Sequence, residues 1–374
     1  MISPKDYYNH LKNMNISFFT GVPDSLLKDL CFYISDNSKN HIIAANEGNA
    51  LSLAIGYHIS TEKIAAVYLQ NSGLGNVINP LLSLADKDVY SIPILLIIGW
   101  RGNPKNKDEP QHKKQGRVML DMLNSMKISY EILKVNDSPS KIKQKTSKLI
   151  KNISKNNAPA AIVVEKGVFE SYSHKSQPRK QYKLCRDEAM RIILHRISKK
   201  SVIVSTTGFT SRELFEYRQE NPGDKNSDFL TVGGMGHANQ IAAGIALHNK
   251  KPVYCFDGDG AIIMHMGSLV INGSLKTLNL KHIVFNNGSH ESVGGQPTAG
   301  YNISIKNIAK NCGYGLALRA ETAKQIQSSI EKIRKFKGSA LLEIMVSNNT
   351  KSNLLRPDKS PCDNKIELMS FLKK

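Results

Sequence analysis

Short apolar runs alternate with longer stretches of helical periodicity along the first part of the chain. The runs are Ile16 to Phe19, Ile42 to Ala45, Ala65 to Leu69, Ile92 to Ile98 and Ala160 to Val164. They are continuous rather than alternating, and too short for helices, so each predicts a strand buried on both faces. A polar stretch, Ser171 to Gln181, breaks the pattern and reads as a linker. A second series then follows at Val202 to Ser205, Phe229 to Val232, Pro252 to Phe256, His282 to Phe285 and Ala340 to Val346. Strand and helix patterns in alternation imply βαβ units and parallel sheets. The predicted organisation is a first α/β domain over 1–170, a linker over 171–188 and a second α/β domain over 189–374. A length of 374 residues suits two such cores. No fixed-period repeat and no low-complexity segment is evident.

Composition changes this picture only at the surface. The formal net charge is +20, which raises the question of nucleic acid. The densest basic stretch answers it: between Lys141 and Lys155, Ile142, Leu149, Ile150 and Ile153 recur at helical spacing with lysines elsewhere. That is an amphipathic surface helix with a solvated basic face, and no nucleic-acid partner is expected. The excess charge is better suited to attracting a small anion. The longest apolar run, Ile92 to Ile98, is far short of a membrane span, and the N-terminus lacks a continuous apolar segment. No membrane partner and a cytoplasmic location are expected. Five cysteines without CxxC spacing argue against a disulfide framework or structural zinc.

The chemistry-bearing signal is a pair of short motifs. Gly258-Asp259-Gly260 ends one predicted strand, and Asn286-Asn287 ends the next, with 25 residues between them. One helix and one strand fill that gap, which puts both motifs at carboxyl ends of neighbouring strands, where open α/β sheets bind ligands. Glycines allow close backbone approach to a phosphate, while Asp259 and Asn287 offer hard oxygen ligands. A divalent ion with a diphosphate fits that donor set. No GxGxxG, Walker A, HExxH or GxSxG sequence occurs, so dehydrogenase, NTPase, zinc-peptidase and α/β-hydrolase readings lack their motifs.

The segment from Gly258 to Asn287 resembles the diphosphate-binding motif of thiamine diphosphate enzymes. That resemblance implies Mg2+ held by Asp259, Asn287 and the main-chain carbonyl of Ser289, with Gly258, Gly260 and Ala261 at the diphosphate. It also implies an acid on the other domain that hydrogen-bonds the cofactor's aminopyrimidine ring. The segment Ile42 to Ala50 resembles the one carrying it, with Glu47 as the acid; an ordinary helix N-terminal Glu is the plainer alternative. Gly233-Gly234-Met235-Gly236 resembles the segment that grips the aminopyrimidine, through the Gly233 carbonyl and the Met235 side chain. Thr207 and Gly208 are further candidates at the diphosphate. The implied fold is α/β, two open parallel-sheet domains of the thiamine diphosphate-binding type, pyrimidine domain first and diphosphate domain second, without the middle domain of larger family members.

Longer matches narrow the resemblance. Gly21 to Leu27, Gln70 to Asn76, Gly99 to Gly102, Asp108 to His112 and Asn286 to Thr298 are similar to segments of the phosphonopyruvate and sulfopyruvate decarboxylases, the former more closely. The implied reaction is loss of CO2 from a small anionic 2-oxo acid. Asp24 and His112 are the candidate proton donors, although Asp24 could equally cap a helix from Ser25. Ser25, Arg101 and Lys107, with Lys113 and Arg117, are candidates for the substrate's anionic group; His290 and Glu291 follow the metal motif and are expected to face the substrate. Sulfopyruvate decarboxylation and acetolactate-type carboligation are the alternatives. The family places its cofactor between two subunits, which implies a homodimer or higher oligomer with shared active sites.

Overall fold

The computed structural model describes residues 1–175, 182–221, 227–275, 279–351 and 353–374. The chain divides into two compact units, Met1–Gln177 and Pro178–Lys374, and no third unit lies between them. Residues 176–181 of the expected linker lie outside the described residues.

The first unit contains strands β1 (Phe19–Gly21), β2 (His41–Ile43), β3 (Ala65–Gln70), β4 (Ile94–Gly99), β5 (Ser129–Leu133) and β6 (Ala160–Val164). All six run parallel in the order β2-β1-β3-β4-β6-β5. The second unit contains β7 (Val202–Ser205), β8 (Asp228–Leu230), β9 (Val253–Gly258) and β10 (Leu280–Asn286), then a two-stranded antiparallel ribbon of β11 (Ser289–His290) and β12 (Gln296–Pro297), then β13 (Leu316–Ala320) and β14 (Ala340–Met345). Its six-stranded parallel sheet has the order β13-β14-β10-β9-β7-β8. Renumbered within its own unit and with the ribbon set aside, that order is again 2-1-3-4-6-5. The two units thus share one topology, although no sequence repeat announces it.

The continuous apolar runs have the expected cause. Along β3, Ala66 and Tyr68 enter one core while Ala65, Val67 and Leu69 enter the other; Leu95 and Ile97 part from Ile94, Leu96 and Ile98 in the same way. Helices cover both faces, and each fully buried Leu or Ile contributes roughly 1.5–3 kcal/mol. The basic helix forms over Pro139–Asn156 with Ile142, Leu149, Ile150 and Ile153 buried.

Several boundaries differ from expectation. β1 starts at Phe19 rather than at Ile16, which is buried ahead of it. The edge strands β5 and β13 carry no pure apolar run and were not expected, because an edge needs burial on fewer sides. Part of the expected linker is fastened down: Asp36 accepts hydrogen bonds from the Tyr172 hydroxyl (3.1 Å) and the Lys175 N–H (2.9 Å) and pairs with His174 at 2.9 Å. At its other end, the helix Arg186–Leu194 has already begun.

Candidate active site

In the first unit, the candidate residues follow the carboxyl ends of the strands nearest the point where the strand order reverses. β1 leads through Val22 and Pro23 to Asp24, which is fully buried. Its Oδ2 accepts the Leu26 N–H at 3.1 Å, and its Oδ1 has no hydrogen-bond partner among the described residues. Burial raises the carboxyl from 3.8 to about 6, against the opposing pull of Arg101. The helix cap proposed for Asp24 is not formed. The helix begins at Lys28 and its cap position is Leu27.

β2 leads to Glu47, the first residue of the helix Glu47–Thr61. Asn46 is the true cap, accepting the Asn49 N–H at 2.9 Å, so the Glu47 carboxylate is released from that task. Glu47 is buried, and its Oε2 accepts a hydrogen bond from Asn76 Nδ2 at 2.7 Å. Its Oε1 lies where Gly73 comes close: a Cβ there would stand 2.2 Å away. The acid is therefore held by two residues from the turn after β3, neither of which was assigned a role from sequence.

The loop after β4 carries Arg101. Its main chain pairs reciprocally with the Asn71 side chain, at 3.1 and 2.8 Å. Its guanidinium donates to Asp108 through Nε (2.9 Å) and Nη2 (2.5 Å), and to Ser25 Oγ through Nη1 (2.8 Å). The same Asp108 lies 2.9 Å from His112 Nδ1 and accepts the Gly102 N–H at 2.8 Å. Burial pushes the Asp108 carboxyl up, but Arg101 and His112 outweigh it and hold it well below the usual range. Burial also lowers the His112 imidazole, only partly offset by Asp108. Lys107, Lys113 and Arg117 are exposed. Of the expected cationic residues, Arg101 and His112 are brought together on Asp108.

In the second unit, Asp259 follows β9 and is buried at 2% exposure. Its Oδ2 accepts from the Thr298 hydroxyl, and its Oδ1 lies 3.4 Å from the Asn287 N–H. Burial raises this carboxyl to about 6, with Thr298 opposing. Gly300 passes so close that a Cβ would stand 2.3 Å from Asp259 Oδ2. Asn286 points into the unit and donates to Gly300 O and Glu343 Oε1 at 2.8 and 2.9 Å. Asn287 points the other way: its Nδ2 donates to Glu291 at 3.1 Å, and its Oδ1 accepts the Ser289 N–H at 3.1 Å. Asp259, Asn287 and Ser289 are thus brought together.

The neighbouring segments converge on the same turn. A Cβ on Gly260 would stand 3.1 Å from the His290 ring and 3.3 Å from Met235 Cε, so the turn, the ribbon and the Gly233–Met235 segment are in contact. Burial lowers His290 to about 4, leaving it neutral at pH 7. Glu291 does not stand free toward a substrate. It accepts from Arg186 Nη1, Asn287 Nδ2 and the Thr350 N–H at 3.1, 3.1 and 3.2 Å. Gly208 has φ +92°, a backbone that side-chain-bearing residues avoid, and precedes the helix Phe209–Glu220 without a side-chain cap. Thr207 and Gly208 therefore leave that helix's first N–H groups without a side-chain acceptor.

Two family models match this chain. One, described as the thiamine pyrophosphate enzyme N-terminal TPP binding domain, matches residues 7–125; the other, the C-terminal TPP binding domain, matches residues 207–344. A phosphonopyruvate decarboxylase of Streptomyces hygroscopicus is 30% identical over 96% of this chain and 92% of its own. The chain belongs to the thiamine pyrophosphate enzyme family. A phosphonopyruvate decarboxylase of Streptomyces viridochromogenes is 29% identical over 97% of this chain and 93% of its own. A sulfopyruvate decarboxylase of Methanosarcina acetivorans is 25% identical over 87% and 86%. Asp24, Glu47, Arg101, Asp108 and His112 fall within the first family segment, and every second-unit candidate from Thr207 to Glu291 falls within the second.

The residues fit the family's cofactor, thiamine pyrophosphate (thiamine diphosphate). Among the described residues Asp259 is a buried carboxylate without a cationic partner, and it stands near the Asn287 amide, the hard-oxygen chemistry a divalent ion uses. At Gly258 a Cβ would meet nothing within 4 Å, so the turn has open space beside it.

Proposed function

We propose that this chain is a thiamine diphosphate- and Mg2+-dependent decarboxylase of 3-phosphonopyruvate, yielding phosphonoacetaldehyde and CO2 in phosphonate biosynthesis. One observation carries the reading. A chain similar end to end to phosphonopyruvate decarboxylases keeps a buried, positioned acid at Glu47 and the paired oxygen donors Asp259 and Asn287. We read the first unit as the pyrimidine domain, 1–170, and the second as the diphosphate domain, 189–374.

Asp259, Asn287 and the Ser289 carbonyl would hold the ion, and Thr207, Gly208, Gly258, Gly260 and Ala261 the diphosphate. The Gly233 carbonyl and Met235 would shape the ring's seat. Bound thiamine diphosphate supplies a carbon nucleophile for the substrate ketone and an electron sink for the pair released with CO2. Glu47, with Oε2 held by Asn76 and Oε1 against Gly73, would share a proton with the cofactor ring. Asp24, whose carboxyl burial raises to about 6 and whose Oδ1 has no partner among the described residues, would return a proton after CO2 leaves. Arg101 commits three N–H groups to Asp108 and Ser25, and a guanidinium has five, so two remain for an anion. His112, held on Asp108 through Nδ1, offers its other nitrogen to the same group.

Chain architecture does not separate phosphonate from sulfonate. The Methanosarcina sulfopyruvate decarboxylase is matched across both halves of this chain, so having both domains on one chain favours neither substrate. The identities, 29–30% against 25%, favour phosphonate. The free thiols of all five cysteines fit a reducing, cytoplasmic setting. We further propose a homo-oligomer with shared active sites. What supports it is apolar surface left exposed beside each half-site, including Leu53 and Ile59 on the helix that Glu47 begins.

The test is CO2 release from purified protein with thiamine diphosphate and Mg2+, offered phosphonopyruvate, sulfopyruvate, pyruvate and oxaloacetate separately. Phosphonopyruvate is expected to give the highest kcat/KM, and Glu47→Gln to abolish turnover while retaining cofactor binding. Preference for sulfopyruvate, or full turnover by Glu47→Gln, would overturn the assignment.

A further inference from the structure

Glu291 was expected to face the substrate, yet among the described residues each of its hydrogen bonds is made within its own unit. Its Oε2 is shared by Asn287 Nδ2 and Arg186 Nη1, each at 3.1 Å, and its Oε1 accepts the Thr350 N–H at 3.2 Å. Arg186 is itself clamped. It is buried, donates to Glu213 through Nε (2.6 Å) and Nη2 (2.9 Å), and donates to Thr350 Oγ1 at 2.8 Å. Glu213 is buried at 1% exposure. Four separated stretches of chain, at 186, 213, 287–291 and 350, thus meet in one charge-assisted network ending on a single side-chain amide.

That amide has two ends with opposite chemistry. An amide NH2 donates only and its oxygen accepts only, so a fixed acceptor on one side decides which end faces the other. With the Asn287 NH2 drawn to Glu291, the Asn287 Oδ1 lies on the opposite side, where it accepts the Ser289 N–H at 3.1 Å. We propose that Glu291, anchored by Arg186 and Glu213, is a positioning residue that sets the orientation of Asn287 as an oxygen donor to the divalent ion, and is not a substrate contact. Rotation of Asn287 would place its NH2 toward the cation and its oxygen against a carboxylate. Both changes are unfavourable, so the network selects the ligating orientation before an ion arrives. Outer partners that orient a metal ligand alter affinity by roughly 10- to 100-fold. The inference rests on the proposed ion site, and it explains why an acid that never reaches the ion sits four residues after one of its ligands.

The experiment is a Mg2+ titration of thiamine diphosphate binding to the full chain, followed by calorimetry. Glu291→Ala is expected to raise the half-saturating Mg2+ roughly 10- to 100-fold, with the thermal midpoint of the ligand-free protein close to wild type. Glu291→Gln keeps an oxygen that can accept the Asn287 N–H, and should recover most of the loss. A second comparison does not depend on Glu291→Ala folding. Asn287→Asp sets a carboxylate against Glu291 and should weaken Mg2+ strongly alone, but markedly less in the Glu291→Gln background. Equal Mg2+ midpoints for Glu291→Ala and wild type would overturn the inference, as would identical effects of Asn287→Asp in the two backgrounds. If wild-type binding itself needs no divalent ion, the underlying site assignment fails instead, and that outcome is read from the wild-type curve alone.

Discussion

At the scale of single residues, the site is built from carboxyl groups whose surroundings set them apart. Asp24 and Asp259 are both buried and both pushed up to about 6, whereas Asp108, gripped by Arg101 and His112, is held low. For Asp24 the consequence for stability has a definite sign. The folded pKa of about 6 exceeds 3.8, so the folded chain holds this proton more tightly than the unfolded chain. Its stabilising contribution is complete below the lower value and is lost as pH rises through the higher one. A shift of about two units corresponds to ~3 kcal/mol. Asp24→Asn, uncharged throughout, should therefore be more stable than wild type at pH 8 by up to ~3 kcal/mol and nearly equal to it at pH 4. Thermal unfolding of the cofactor-free proteins at the two pH values checks this. A variant less stable than wild type at pH 8 would show that Asp24 is a structural turn residue rather than one held under strain for chemistry. Much of this was legible in sequence, because Asp24, Glu47, Asp259 and Asn287 all stand just after apolar runs. Asn76 and Gly73 were not, since their approach to Glu47 joins segments far apart along the chain; Asp108 was not, since only the folded loop shows that it takes Arg101 and His112 as partners.

At the scale of elements, the strand ends do the positioning and the turns do the holding. The continuous apolar runs revealed the central strands because burial on both faces leaves no room for polar positions. Edge strands β5 and β13 escaped, as did the shared 2-1-3-4-6-5 strand order. Pairing order depends on which helix crosses to which face, and neither composition nor periodicity records that. The turn after β3 offers a direct test of holding. Gly73 has φ −79° and ψ −6°, a conformation open to alanine, so only the approach of Glu47 at 2.2 Å forbids a side chain. Two residues on, a Cβ at Gly75, within the helix Leu74–Pro80, would meet nothing within 4 Å. Gly75→Ala should stabilise the fold by ~0.5–1 kcal/mol, whereas Gly73→Ala must displace the Glu47 carboxylate. We expect Gly73→Ala to lose at least ~100-fold in kcat, as a misplacement of about 1 Å does, while its thermal midpoint falls little. Activity near wild type would mean that Glu47 has no fixed position to lose.

For the whole molecule, the question is whether Glu47 and Asp259 serve the same cofactor from one chain or from two. The apolar side chains left in solvent are distributed in a way that bears on it. Leu53 and Ile59 lie on the helix that opens with Glu47, while Ile241 and Leu247, then Val270 and Ile271, lie on helices flanking the Asp259 turn. Singly scattered exposed leucines carry no message, whereas pairs of apolar side chains on these helices are what the proposed shared assembly would cover. Sharing across two copies makes a prediction that binding data alone do not. Glu47→Gln and Asp259→Asn should each be inactive as pure proteins. In a co-expressed mixture, half the dimers carry one of each, and half of their sites draw both intact residues from different chains. About a quarter of wild-type activity should therefore return, a consequence of two-fold assembly. If each chain completed its own site, no combination would contain an intact pair and the mixture would stay inactive. Introducing charge at the interface, as in Ile59→Glu, should release monomers in light scattering and extinguish the regained activity together with the dimer, since separated chains would each keep only half of the machinery.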